Sequence, residues 1–172
     1  MSCLELLSNT IKECNSYQKE KTIKIMIFTE GTILGPKNIF RHFDHASYIP
    51  IKDSVNLIKS WQQQGTEIMY LTSRKKEKHI HEIKNLLLKN HFPGQCLFYR
   101  GEGQRYKDIV ELVIPDILIE DDCWSIGGKW QMAITYVEPE IKDKVKSIIV
   151  KEFTGIDNLP LQVTELLNFQ TK

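Results

Sequence analysis

The sequence predicts an α/β fold, a Rossmann-like three-layer sandwich on a mostly parallel sheet. Two observations carry this. Short apolar runs of strand length alternate with amphipathic stretches of helix length, and three of the apolar runs end abruptly in polar residues. A chain of 172 residues, 41% hydrophobic and 26% charged, is sized for one domain with its own core.

Ile23–Phe28 (IKIMIF) is a nearly continuous apolar run, as in a strand buried on both faces. It ends at Thr29-Glu30-Gly31-Thr32. A polar loop with Gly35, Pro36 and Pro50 follows, and Asp53–Gln64 then puts Val55, Leu57, Ile58 and Trp61 on one helical face before Gly65. Glu67–Leu71 is a second strand, ending at Thr72-Ser73-Arg74. In Lys76–Asn90 the residues Ile80, Ile83, Leu86, Leu87 and Leu88 recur near the helical period, and Pro93-Gly94 closes the segment. Cys96–Arg100 reads as a strand and Gln104–Val113 as a helix. After Pro115, Asp116–Glu120 is a fourth strand, ending at Asp121-Asp122.

Beyond this point the pattern weakens. Ala133–Val137 and Ser147–Val150 read as strands, Glu138–Lys146 as a short helix and Leu159–Leu167 as a closing helix. The first 22 residues form an amphipathic segment ahead of the motif-bearing stretch 23–125, and 126–172 completes the domain. That first segment carries acids and lacks an apolar run, unlike a signal peptide.

Composition excludes several classes. Lysine plus arginine number 23 against 22 acids, for a formal charge of +1, so a general coating of nucleic acid is disfavoured, although a local patch stays open. The cysteines Cys3, Cys14, Cys96 and Cys123 form no C-x-x-C pair, which argues against a zinc ribbon or a disulfide framework and for a reducing, cytoplasmic setting. No apolar stretch reaches membrane-spanning length.

In parallel α/β sheets the ligand site lies at the carboxyl ends of the strands, so the three polar strand ends are expected to converge. Glu30, Asp121 and Asp122 supply hard oxygen ligands of the kind Mg²⁺ takes. Thr72 and Ser73, with the turn at Gly31 and Thr32, offer donors to a phosphate, and Lys107 offers a neutralising cation. Each part also has an ordinary structural use, as a cap, a turn or a solvated charge.

The order of these residues resembles the four motifs of the haloacid dehalogenase-like (HAD) superfamily, over residues 23 to 125. IFTEGTIL is similar to its first motif, a strand followed by Asp-x-Asp-Gly-Thr; YLTSR is similar to the second, Lys107 to the third and DILIEDD to the acidic fourth. The resemblance implies a Mg²⁺-dependent hydrolase core, with Glu30, Lys107 and Asp121 in catalytic roles. It implies phosphate binding by Thr72, Ser73, Gly31 and Thr32, and metal binding by Glu30, Asp121 and Asp122. Aligned on Gly31-Thr32, however, Phe28 stands where the nucleophilic Asp belongs and Glu30 where the acid/base Asp belongs. Thr29 reaches the nucleophile position only by a slip that breaks the Gly-Thr match and turns the side chain to the other face. Phenylalanine cannot attack phosphorus.

The expectation is a divergent HAD-like protein that acts on, or binds, a phosphorylated small molecule or extended substrate. The alternative is an inactive scaffold used for binding or assembly. The stretch between Thr32 and Asp53 leaves no room for a large cap, so the site is expected to be open or completed by a partner subunit, as in a homo-oligomer. His42 and His45 with Asp44 are a weak metal pattern. His79 and His81 are expected on the surface. Cys123, beside three acids, is expected to be an unreactive thiol.

Overall fold

The structure is a computed structural model that describes residues 22–37, 44–94 and 96–170. The amphipathic N-terminal segment and His42 lie outside them. The strands of the main sheet are β1 (Lys24–Phe28), β4 (Glu67–Leu71), β5 (Cys96–Phe98), β6 (Ile117–Asp121) and β7 (Lys146–Val150), in the order β5-β4-β1-β6-β7. Every pairing between them is parallel. A two-stranded antiparallel ribbon, β2 (Leu34–Gly35) with β3 (Ile49–Pro50), stands apart within the stretch expected to be a polar loop.

Burial on both faces explains the unbroken apolar runs. Ile25 and Ile27 of β1 pack into one core with Ile58 and Trp61 of α1 (Ser54–Gln63), Ile83, Leu86 and Leu87 of α2 (Glu77–Lys89), and Val163 and Leu166 of α5 (Val163–Asn168). The alternate residues Met26 and Phe28 point into a second core, with Ile109 and Val110 of α3 (Tyr106–Val113) and with Met132, Ile134 and Val145. Period-two alternation thus sends one strand into both outer layers. Helices cover the sheet on both faces, giving three layers. Trp61 is wholly buried, and its indole N–H donates to the Pro160 carbonyl at 3.0 Å.

Three expected elements come out differently. Ala133–Val137 is not a strand: the Glu120 carboxylate accepts the N–H groups of Ala133 (2.7 Å) and Ile134 (3.0 Å), and these amides start a 3-10 turn at Ile134–Tyr136. The closing helix begins only at Val163, because the carbonyls of Pro160 and Leu161 are engaged by Trp61 and Gln64. Of the stretch Glu138–Lys146, only α4 (Pro139–Lys142) is helical, with Pro139 in its first turn. No described helix is long and apolar enough to cross a membrane.

Trp61→Ala, which empties the core between the sheet and α1, is expected to cost about 3–5 kcal/mol, read as a lowered urea midpoint with unchanged m-value.

Candidate functional site

In chain order the five strands run 3-2-1-4-5 across the sheet. The chain therefore leaves β1 toward one edge and later crosses to the other, opening a crevice at the carboxyl ends of β1 and β6. The sequence-predicted acids stand on the two sides of that crevice. Gly31 sits at the crossing, with φ at +83°. A Cβ on Gly31 would lie 2.6 Å from Oδ2 of Asp121, so only glycine lets the turn approach that carboxylate. The turn is closed by Gly31 N–H to Leu34 O (2.9 Å), and Phe153 N–H, from beyond β7, donates to Gly31 O at 2.7 Å.

Glu30 goes to the β4 side. Its carboxylate accepts from the Thr72 hydroxyl (2.8 and 3.0 Å), from the Ser73 N–H (3.3 Å) and hydroxyl (3.2 Å), and from Arg74 Nε (2.7 Å). The Thr29 hydroxyl, fully buried, also donates to Glu30. The donors expected to cradle a phosphate thus hold the chain's own carboxylate. Arg74 also donates through Nη1 to Nε2 of His45 at 2.7 Å. Because guanidinium can only donate, Nε2 accepts and the His45 proton sits on Nδ1. Burial, and secondarily the Arg74 charge, lower the His45 pKa and keep the ring neutral. His79, expected on the surface, places its ring 5.6 Å from that of His45.

Asp121 goes to the other side. It is buried, and accepts from the Thr32 hydroxyl (3.1 Å) and the Cys123 N–H (2.9 Å). Burial pushes its carboxyl pKa up, these donors partly offset that, and the charge of Glu152 adds to the rise. Asp121, Asp122 and Glu152 can each present an oxygen within 4.8 Å of the others. Glu30 is not in this group, so the expected metal set loses Glu30 and gains Glu152. Among the described residues no lysine or arginine forms an ion pair with the three. Such a group of hard oxygens could hold a divalent cation.

Lys107 is not in the crevice. It lies one turn before Glu111 on α3, and its ammonium goes to Glu111 (3.4 Å) and Glu138 (3.0 Å). In place of the expected lysine the site holds two arginines: Arg74, from a strand end expected to converge here but given no role, and Arg100, just past β5, which was not among those strand ends. The Arg100 guanidinium lies 3.7 Å over the Tyr106 ring and donates to its hydroxyl at 2.8 Å, while its buried Nε–H has no partner. Phe28 meets the same ring edge-on at 5.2 Å. Together Phe28, Glu30, Arg74, Arg100, Asp121 and Glu152 line a cavity of about 410 Å³. Cys123 borders it, its thiol pKa raised by burial and by the charges of Asp121 and Glu120.

The missed residues carried a usable signal. Glu152 and Arg100 lie at the carboxyl ends of parallel strands, as Glu30 and Asp121 do, and the rule applied to three strand ends holds for all five.

No protein family matches the chain, and no curated protein matches it. Among solved structures, the chain is similar to one of the Pnkp1/Rnl/Hen1 RNA repair complex, with TM-score 0.56 and 14% identity, over 80% of this chain and 45% of that one. A second structure of a Pnkp1/Rnl/Hen1 complex gives TM-score 0.51 and 13% identity, over 77% and 48%. The chain spans under half the length of both matched chains, and at these identities the likeness is one of fold.

Two substitutions test the geometry. Gly31→Ala forces a Cβ into the Asp121 carboxylate at a positive φ, and is expected to cost about 1–3 kcal/mol; an unchanged denaturation midpoint would refute the close approach. Glu120, 2% exposed, has its pKa pushed up to about 7 by burial, partly offset by its two amide donors. The folded state therefore holds this proton where the unfolded chain has released it, so stability falls as pH rises from about 4.5 to about 7 and is level above. In Glu120→Gln this part of the pH dependence of the melting temperature should vanish.

Proposed function

We propose that this chain is a HAD-like protein whose crevice binds the phosphate of a phosphorylated ligand together with Mg²⁺, without a covalent phosphoryl intermediate. One observation carries the reading: Arg100 brings to the cavity a positive charge that no described carboxylate neutralises and a buried Nε–H that nothing accepts. A cation at a cavity wall with no carboxylate partner lacks a countercharge, and an anionic ligand in the cavity supplies it. The order of motifs along the chain supports the same class.

The residues divide the work by position. Arg100, stacked on Tyr106, faces the phosphate as the free cation, and Arg74 fixes Glu30 and neutral His45 at the rim. Asp121, Asp122 and Glu152 would hold Mg²⁺, which when bound offsets phosphate charge and acidifies water. Phe28 offers no nucleophile, and the Thr29 hydroxyl is turned to Glu30 and Leu71 O. Hydrolysis by this chain therefore means direct attack by water, with no phosphoryl group transferred to β1.

A second reading has its own observation. The Glu30 carboxylate already fills the Thr72–Ser73–Arg74 cradle, as in a scaffold whose anion site is plugged by its own acid. Melting curves separate the two. With inorganic phosphate and Mg²⁺ at roughly ten times Kd, the wild-type melting temperature is expected to rise by about 3–5 °C. Arg100→Ala should abolish the rise, and Asp121→Asn should abolish its dependence on Mg²⁺. An unmoved wild type beside a responsive Glu30→Gln establishes the plugged scaffold, and no response in either overturns the phosphate site.

A further inference from the structure

A second cleft opens beside the main cavity and shares Arg100, Tyr106 and Gln131 with it. Its remaining wall carries Arg105, Lys107, Trp130 and Tyr136 over Met132 and Ala133, and no carboxylate lines it among the described residues. Its charge is thus positive, although Lys107 shares its own with Glu111 and Glu138. The volume is about 130 Å³, a shallow notch.

The lip of this cleft is aromatic. Trp130 is 61% exposed and Tyr136 44%, and Trp124 farther along the same segment is 81% exposed. Large aromatic side chains grouped on one exposed segment mark an interaction surface. Lys129 lies 5.0 Å from the Trp130 ring and adds a further cation. The segment is held in shape. The Tyr136 hydroxyl donates to Trp130 O at 3.1 Å, the Thr135 hydroxyl to Lys129 O at 2.5 Å, and Glu120 anchors Ala133 and Ile134 from below. Rings presented on a fixed backbone lose little entropy on binding.

We infer that the ligand is the phosphorylated end of a single-stranded nucleic acid. Its terminal phosphate lies at Arg100, and the adjoining nucleotide runs over the Arg105–Trp130 cleft with its base stacked on Trp130. Alternation of cations with exposed aromatic faces is how single strands are held without sequence readout, the cations tracking the backbone and the rings taking the bases. The near-neutral net charge of the chain fits a short contact of this kind, since a few local cations suffice for one or two nucleotides. The inference rests on the phosphate reading of the main cavity and adds the chemistry of what carries the phosphate.

The test is calorimetric titration of the full chain with oligonucleotides of about six uridines carrying a 5′-phosphate, a 3′-phosphate or neither, with their deoxy counterparts, and with inorganic phosphate, all with Mg²⁺. One phosphorylated form is expected to bind at least about tenfold tighter than both the unphosphorylated oligonucleotide and inorganic phosphate. The ribo and deoxy arms decide which sugar the cleft takes. Trp130→Ala and Arg105→Ala, both at exposed positions, should each weaken the oligonucleotide by about fivefold or more and leave inorganic phosphate unaffected; Trp130→Phe should restore most of the loss. Phosphate binding with no gain from the attached strand overturns this inference and leaves the phosphate site standing. Oligonucleotide binding that ignores the terminal phosphate overturns end recognition. Binding of neither overturns both.

Discussion

A carboxylate at the end of a central strand, out of bulk water, must be met by donors and positive charge or give up its ionisation. Glu30 is in that position: its side chain is 8% exposed, and the turn after β4 supplies two hydroxyls, an amide and a guanidinium. The arrangement of the pocket follows from meeting this demand. Arg74 is drawn to Glu30, its far nitrogen then fixes the tautomer of His45, and the ends of β1 and β4 are locked together beyond the last ladder bond. The turn at Gly31 that carries Glu30 toward β4 also exposes its own Cα to Asp121 on the other side.

The strand order turns this local clamp into a polarised pocket. Because β1 lies between β4 and β6, the β4 and β5 ends bring Arg74 and Arg100 to one wall, while the β6 and β7 ends bring Asp121 and Glu152 to the other, with Asp122 beside them. The acidic wall is itself cross-tied: Asp122 accepts the Glu152 N–H at 3.1 Å, and Glu152 accepts the Ser125 N–H and hydroxyl, each at 2.8 Å. Guanidinium groups on one wall and carboxylates on the other leave the pocket electrically polarised across its width.

Much of this was legible in the residues, and the remainder was not for identifiable reasons. Continuous apolar runs gave β1, β4 and β6 because burial on both faces leaves no other composition stable. The polar residues after them marked the crevice. Period alone could not find the helical turn at Ile134–Tyr136, since Ala133–Val137 is as apolar as a strand and the deciding contact is a carboxylate 13 residues away in sequence, at Glu120. Lys107 could be placed on α3 but not oriented, because whether a lysine faces a pocket depends on where the nearest acids stand, here Glu111 and Glu138. Arg100 reads in the sequence as the last residue of the strand Cys96–Arg100, whereas β5 stops at Phe98 and leaves Arg100 beyond the strand end, where the site forms.

Phe28, which the proposed HAD-like reading puts where a nucleophile would stand, has a structural use of its own. Strand alternation directs it into the core shared with α3, where its ring meets Tyr106 edge-on at 77°. Tyr106 in turn carries Arg100 on its face and by its hydroxyl. Such edge-on and cation–π contacts each contribute about 0.5–2 kcal/mol and fix ring orientation. An aspartate at this position would remove the ring that braces Tyr106 and put a negative charge at the foot of the stack. An attacking carboxylate and a braced Arg100 are thus competing uses of one position, and in this chain the position serves the cation.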